Sequence, residues 1–202
     1  MSIQVTYSAD YNFNSLNGFF DYAENFFTNT DYDQNIGSFA GTENPDPVVD
    51  LGFWGAFGTF SGTQYAQEGE ANGESLGFII QAADGSYLDY TFFAGPSHTM
   101  YGEIASITFG RGLVEQANGE YSFTEELVSF EGLDSVGLNA GLDANGNVIG
   151  RNEGNNTTHN IVDGMKDSDF SAFTQVLLDN DIDLTTNDTV GVSALADFEL
   201  VA

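Results

Sequence analysis

Two side chains in the stretch YTFFAGPSHTMYG, Tyr90 and His98, have the types and the spacing that could bind a metal. They lie eight residues apart, on either side of a Gly-Pro-Ser turn at positions 95–97. A tyrosine phenol, whose unperturbed pKa is about 10, binds ferric iron only as the phenolate. A neutral imidazole that accepts the phenol proton, or hydrogen-bonds to its oxygen, permits such ligation near neutral pH. Because tyrosinate is also an axial ligand of haem iron, the spacing permits a haem site.

The same residues have a purely structural alternative. In it, Tyr90 is a strand residue of a sheet and His98 caps the chain beyond the turn. A strand–turn–strand unit with this bend would place the two side chains together, with Phe92 and Phe93 supplying apolar surface beside them. Residue type and spacing leave both interpretations open.

The composition excludes several classes of function. The chain has 202 residues, enough for one domain with a sizeable core, and a formal charge of −28, with only Arg111, Arg151 and Lys166 as basic residues. Such a chain repels nucleic-acid phosphates and anionic lipids, and it has no apolar stretch of about 18 residues. We therefore expect no nucleic-acid partner and no membrane insertion. The N-terminus lacks the pattern of a Sec signal peptide, and the absence of cysteine excludes thiolate metal sites, disulfides and a thiol nucleophile.

Motifs that would indicate catalysis are absent from the sequence. Neither His98 nor His159 accompanies a Gly-flanked serine elbow or a cysteine, and there is no H-E-x-x-H motif or Gly-rich phosphate loop. Asp143 opens a segment with the look of a calcium loop, but the positions that need Gly and Glu hold Val148 and Gly154. We predict an Asn-Gly turn there and a protein that is not an enzyme.

Hydrophobic periodicity predicts an α+β fold: an antiparallel curved sheet with helices packed on one face, in a single domain spanning residues 1–202. The opening residues 2–8 alternate apolar and polar side chains and predict a strand. Residues 15–27 carry apolar side chains at helical spacing, which predicts an amphipathic helix with Asn14 or Ser15 as its N-cap.

The rest of the chain divides into a loop, a run of strands and a helical end. Residues 28–52 form a long polar stretch that we interpret as a functional or mobile loop. The region from 53 to 131 predicts an antiparallel meander. Residues 158–181 carry two helical stripes, with Asp167 or Ser168 as the cap of the second helix. The strand candidates are 58–69, 75–82, 87–93, 98–110, 121–127 and 128–133.

Two segments, FSGTQYA at 60–66 and LDYTFFAGPSHTMYGEIASITFG at 88–110, resemble the HasA-type haemophores, secreted proteins that capture haem for bacterial iron supply. The family pattern has an SGSQYA-like segment followed by a Tyr and a His at the same eight-residue separation. The resemblance implies that Tyr90 is an axial ligand of ferric haem b, that His98 hydrogen-bonds to Tyr90, and that Phe93 packs on the haem.

The segment THNIVDGMKDSDFSAFTQVL is similar to the family's helix pair, with His159 and Gly164 at matched positions. The family's haem-facing methionine falls at Lys166 in a gapless alignment, with Met165 as its neighbour, and we take Met165 as the candidate for that haem contact. The start SIQVTYSADY and the final FELVA also resemble the family's termini. This similarity implies type I export to the extracellular medium, with residues 190–202 as the candidate secretion signal.

The resemblance further implies two kinds of partner: an outer-membrane haemophore receptor that takes the haem, and haem-carrying host or environmental proteins that supply it. One departure from the family concerns the loop at 28–52, where many members place a histidine as second axial ligand. This chain has none there, and only Tyr32, near Asp31 and Gln34, is a credible strong ligand. We therefore expect one strong ligand, Tyr90, and a loop that closes over the haem without ligating it, or only weakly.

Two rival functions follow from the same sequence. The first is an acidic secreted interaction protein that kept the fold but lost haem, which the missing loop histidine and the charge favour. The second is a calcium-dependent secreted hydrolase. For the haemophore interpretation, the chain offers the haem propionates almost no cationic partner, so we expect the propionates to point to solvent.

Overall fold

A computed structural model describes residues 2–30, 37–47, 60–92 and 95–187, and these residues form three α-helices, a short 3-10 helix and nine strands. The predicted α+β class is confirmed. The helices are α1 (Leu16–Thr28), α2 (Thr157–Lys166) and α3 (Ser171–Asp179), and the 3-10 helix is Leu133–Val136. The strands are β1 (Gln4–Tyr7), β2 (Ser38–Ala40), β3 (Ser61–Gly62), β4 (Gln64–Ala71), β5 (Glu74–Ala82), β6 (Leu88–Thr91), β7 (Thr99–Tyr101), β8 (Ile104–Glu115) and β9 (Tyr121–Glu131).

The larger sheet has six antiparallel strands in the order β1-β9-β8-β5-β4-β2. Its register shifts between Gln81 and Ala82 and again between Phe109 and Gly110. Such irregularities bend a strand and increase its twist, which curves the sheet. Gly110 is required at its position because a Cβ there would overlap the ring of Phe123.

The predicted single meander is wrong, because three strands leave it. β6 and β7 pair with each other and with β3 in a second, three-stranded sheet, so that β5 pairs with β8. The candidate strand 98–110 breaks at Gly102, which has φ +127° and lies against the carbonyl of Tyr87. The candidate at 58–69 breaks at Thr63, whereas 121–127 and 128–133 belong to one strand, β9.

The helix ends follow the predicted caps in one case and differ in the other. Ser15 is the N-cap of α1, and its Oγ accepts a hydrogen bond from Gly18 N at 3.1 Å, as predicted. For α3 the predicted caps are wrong, because Phe170 is the N-cap residue and makes no side-chain hydrogen bond. Ser168 instead adopts a left-handed φ of +62° in the turn after α2, and Asp169 Oδ1 accepts from Ser171 N at 2.9 Å.

One aromatic cluster joins the helices to the large sheet. Its centre is Phe109 on β8, which is fully buried. Side chains from α1 and from the start of α3 both contact this ring, so the two helices pack on the same face of the sheet, as predicted. The rings with centroids 5.2–6.4 Å from that of Phe109 are Phe19, Phe20, Phe78, Phe130, Phe170 and Phe173.

The polar stretch predicted as a loop at 28–52 contains a short strand. β2 pairs with β4 in the register Phe39↔Tyr65, and a Cβ at Gly37 would overlap the hydroxyl of Tyr65. Glycine at position 37 therefore lets the chain approach β4 closely enough to pair. Among the described residues, no helix has the length and hydropathy that a membrane span requires.

Candidate functional site

Tyr90 and His98 meet at the β6–β7 hairpin. Tyr90 is paired across the hairpin with Met100, and its Oη lies 2.9 Å from His98 Nδ1. That distance is typical of a hydrogen bond, in which either the phenol or the imidazole can hold the proton. The hairpin therefore places a proton acceptor directly on the phenol oxygen.

The turn of this hairpin is held by Thr91, which is 1% exposed. Its hydroxyl lies within hydrogen-bond distance of the carbonyl oxygens of Pro96 and Thr99 and accepts from Thr99 N at 3.2 Å. His98 has a φ of +54°, a conformation uncommon for a residue other than glycine, and its ring contacts Phe92 edge-to-face at 4.8 Å. These contacts fix the orientation of the imidazole that Tyr90 meets.

Tyr90 forms part of the wall of a cavity of about 460 Å³. This volume lies in the range that cofactor and small-molecule sites occupy, roughly 300–1,000 Å³. The rings of Phe60 and Phe92 stack in this wall, 6.0 Å apart and inclined by 4°. His98 contacts Tyr90 but is not a lining residue. The lining residues are Gly37, Ser38, Phe39, Phe60, Tyr65, Tyr90, Phe92, Met100, His159, Val162, Asp163 and Lys166.

One face of α2 closes the cavity. His159, Val162, Asp163 and Lys166 follow the i, i+3, i+4, i+7 spacing that places side chains on one side of a helix, and all four line the cavity. Met165, one position before Lys166, is fully buried in the hydrophobic core and is not a lining residue. The helical period therefore turns Met165 towards the core and Lys166 towards the cavity.

The first turn of α2 also pairs with the outer edge of β7. Asn156, the N-cap of α2, donates from Nδ2 to Met100 O at 2.9 Å, and its Oδ1 accepts from His159 N at 2.9 Å. His159 Nδ1 accepts from Met100 N at 3.3 Å, and Thr158 Oγ1 donates to Gly102 O at 2.7 Å. Both backbone groups of Met100 are thus satisfied by α2, which holds the strand opposite Tyr90 in place.

A family model with the description "Heme-binding protein A (HasA)" matches residues 1–201 of this chain. The chain belongs to the HasA family. The family resemblance of the sequence motifs is thereby confirmed.

Relatives and solved structures agree with this membership. The hemophore HasA of Serratia marcescens is 34% identical over 148 residues, which are 72% of this chain and 69% of the relative. The apo structure of the hemophore HasA from Yersinia pestis is 24% identical, with a TM-score of 0.66 and coverage of 92% of this chain and 93% of that one. The holo hemophore HasA structure from Yersinia pestis is 25% identical, with a TM-score of 0.65 and the same coverage.

The structure brings together only some of the site residues that we predicted for this HasA-family chain. Tyr90 and His98 are brought together, whereas Met165 lies in the core. Phe93 and the loop residues Asp31, Tyr32 and Gln34 lie outside the described residues, as does the segment 190–202. Those assignments stay predictions.

Sequence reasoning missed Asp89, the residue before Tyr90. Asp89 is 5% exposed, and its carboxylate accepts from Asn44 Nδ2 at 2.9 Å. Burial raises the pKa of Asp89, and the hydrogen bond from Asn44 opposes that rise. Because Asn44 N also donates to Ser61 Oγ at 3.0 Å, Asn44 fastens the segment 37–47 to both β6 and β3. The only signal in the sequence is an acidic residue between two strand residues.

The calcium-loop candidate forms a compact turn closed by its own side chains. Asp143 Oδ1 accepts from Asn145 N and Asn147 N, each at 2.8 Å, and Leu142 bridges to Val148. A hydrogen bond from Asn147 Nδ2 to Asp143 Oδ2 at 3.0 Å is the main reason why the pKa of the exposed Asp143 is lowered, and the two backbone hydrogen bonds act in the same direction. The predicted turn is confirmed.

His159 predicts a pH dependence of stability. Its Nδ1 accepts from Met100 N, so the neutral ring carries its proton on Nε2, 3.7 Å from Asp163 Oδ2. Burial lowers the pKa of His159 below its ordinary 6.5, Arg151 and Lys166 act in the same direction, and Asp163 opposes them. Below about pH 6.5 the unfolded chain therefore binds this proton more readily than the folded one, and stability falls as pH falls.

We expect the free energy of unfolding to drop more steeply between about pH 7.5 and 5.5 in the wild type than in His159→Gln, whose amide oxygen can still accept from Met100 N. Denaturant unfolding at a series of pH values measures both curves. The other ionisable groups are common to both proteins, so their contributions cancel in the difference. Parallel curves would show that His159 does not carry the effect.

Proposed function

We propose that this HasA-family chain is an extracellular haem carrier, not an enzyme, and that it binds ferric haem in the described cavity through Tyr90. The observation that carries the proposal is the 2.9 Å contact between Tyr90 Oη and His98 Nδ1 at the wall of that cavity. Membership of a family described as heme-binding and the likeness to a holo hemophore structure support it.

The chemistry of the pair matches this cargo. A phenol at its ordinary pKa holds its proton at neutral pH and binds ferric iron poorly. His98, as the neutral imidazole, takes that proton or accepts a hydrogen bond from it, and the phenolate oxygen of Tyr90 becomes a strong anionic ligand. The aromatic rings of Phe60 and Phe92 provide flat apolar surface for the macrocycle beside that oxygen.

Tyr90 is the single strong ligand of this proposal. His159 also lines the cavity, but its Nδ1 accepts from Met100 N and its Nε2 holds the ring proton, so neither nitrogen offers a lone pair to iron. We keep Tyr32 as the candidate for a weak second ligand and Phe93 as a candidate haem contact. Met165, the other candidate contact, is fully buried in the core and does not line the cavity, so we do not propose it further.

Export and delivery complete the proposed role. The chain would leave the cell by the type I route, with residues 190–202 as its signal. It would accept haem from haem-carrying host or environmental proteins and pass it to an outer-membrane haemophore receptor. Family membership and the sequence motifs support these steps.

The experiment that tests the function is an absorption titration of the protein with ferric haem and, in parallel, with metal-free protoporphyrin. The two ligands share the macrocycle and the propionates, and only the first can accept Tyr90 as ligand. We expect saturable one-to-one binding of ferric haem, with an affinity at least about 100-fold higher than that for the metal-free porphyrin. Loss of a residue that supports a metal ligand lowers affinity by about 10- to 100-fold, and loss of the metal–ligand contact itself should lower it further.

Either of two other results would overturn the proposal. Equal affinities would mean that the cavity binds porphyrin without iron ligation. Absence of saturable binding of both would favour the acidic interaction protein that has lost haem.

A further inference from the structure

Lys166 is the residue of the described cavity lining with a permanent positive charge. It ends α2 and is half-buried. The ion pairs between described residues join Arg111 with Glu125 and His159 with Asp163, and neither includes Lys166. Within the described part of the chain, its ammonium group therefore makes no ion pair, and it lies at the edge of an apolar cavity in a protein whose formal charge is −28.

A polar pocket of about 460 Å³ adjoins the cavity, and Lys166 lines both. Its wall is rich in hydroxyl and amide groups from the end of α1, from β4 and from the turn after α2. Tyr65 and Gln67, two positions apart on β4, point to the same face of the strand, and the first lines the cavity while the second lines the pocket. The pocket residues are Phe27, Thr28, Thr30, Gln67, Lys166, Asp167 and Ser168.

Besides Lys166, Gln67 is a second residue of this pocket whose side chain indicates a ligand site. It is 4% exposed, and its buried Oε1 has no hydrogen-bond partner among the residues that the structure describes. A buried amide oxygen without a partner costs free energy, so such a group on a residue of a pocket wall marks a place where a polar ligand atom can sit. Because rotation by 180° exchanges the amide oxygen and nitrogen, Gln67 can present an N–H donor to an acceptor there.

We propose that Lys166 and the Gln67 pocket form a subsite for a carboxylate of the ligand that fills the cavity. This inference rests on the proposed function, for haem is an apolar disc with two propionate carboxylates on one edge. One propionate would receive a charge-assisted hydrogen bond from Lys166 Nζ and a second from the Gln67 amide. The subsite departs from the expectation that both propionates point to solvent.

The acidic residues around Lys166 influence how strongly the subsite binds a carboxylate. Asp163 lines the cavity and Asp167 lines the pocket, and both repel a carboxylate. Lys166 offsets that repulsion, so its loss leaves a negative field in the subsite. Since the ammonium is only half-buried, solvent screens the contact, and we expect a change in affinity of about five- to tenfold.

The test compares the affinities for ferric haem and for its dimethyl ester, which keeps the iron and the macrocycle but has no free carboxylate. We expect the wild type to bind the diacid about five- to tenfold more tightly than the ester, and Lys166→Gln to bring that ratio close to one. Gln67→Leu, which keeps every charge, should lower the ratio by a smaller factor. Arg111→Gln changes the net charge as much as Lys166→Gln does, but lies on β8 in an ion pair, so it should keep the wild-type ratio.

The outcomes separate the two proposals. If the wild type binds haem but Lys166→Gln keeps the wild-type ratio, the subsite is refuted and the haem function stands. If Arg111→Gln lowers the ratio as far as Lys166→Gln does, net charge and not a subsite governs the preference. If the wild type binds neither compound saturably, both the function and the subsite are refuted.

Discussion

Tyr90→Phe is expected to lower the affinity for ferric haem by at least about 100-fold and to abolish the absorption bands of tyrosinate ligation. The substitution removes only the phenol oxygen, which lies 2.9 Å from His98 Nδ1, and keeps the ring that lines the cavity. Loss of a residue that supports a metal ligand lowers metal affinity by about 10- to 100-fold. Loss of the ligand itself should lower the affinity by at least the upper end of that range. Titration of both proteins with ferric haem measures the change.

Two further variants make this result specific. Tyr65→Phe makes the same chemical change on β4, in the same cavity, without touching the Tyr90–His98 pair, and should lose much less affinity. His98→Ala keeps the ligand but removes its proton acceptor, so it should weaken binding by about 10- to 100-fold, with the loss shrinking as pH rises and the phenol ionises unaided. Unchanged affinity in Tyr90→Phe would place the iron ligand elsewhere, with Tyr32 the next residue to replace.

Phe109→Ala is expected to destabilise the protein by about 3–5 kcal/mol. Phe109 is fully buried on β8, at the centre of the aromatic cluster that joins α1 and α3 to the large sheet. Truncation removes its ring and leaves a cavity that six neighbouring aromatic side chains cannot fill without moving. Denaturant unfolding of the haem-free protein, which avoids stabilisation by ligand, measures the loss.

Controls on the same strand define the scale of that effect. Val114, 39% exposed near the end of β8, should change stability by no more than about 0.5 kcal/mol when replaced by Ala. If Phe109→Ala does not fold, Phe109→Leu retains most of the volume and should cost less than the alanine variant. A loss below about 1 kcal/mol for Phe109→Ala would mean that the helices are held to the sheet by other contacts.

The local sequence of this protein predicts its local structural elements. Ser15 and the apolar spacing after it predict α1 and its cap, and the Gly-Pro-Ser turn predicts the hairpin that joins Tyr90 to His98. In both cases the groups that interact are fewer than about ten residues apart, so residue type and period fix their geometry. The pairing of phenol and imidazole at the site was therefore open to prediction from thirteen residues, YTFFAGPSHTMYG.

Only the tertiary structure decides what surrounds that pair. Met100 and the α2 residues Asn156 and His159 are 56 and 59 positions apart, and Asn44 reaches Asp89 across 45 positions. Such contacts depend on which strand edges and helix faces meet. Local sequence patterns therefore could not predict the second sheet, β3-β6-β7, or the hydrogen bonds between the start of α2 and β7.

The same reason explains the exchange of roles between Met165 and Lys166. Their order in the sequence does not say which of them faces the cavity. The gapless alignment with the family places the haem-facing position at 166, whereas the residue type favoured the methionine at 165. Adjacent helix residues point about 100° apart, so the packing of α2 on the core buries Met165 and brings Lys166 to the cavity wall. The sequence by itself determines that a Tyr–His pair exists, and the packing of distant elements determines which charge its ligand meets.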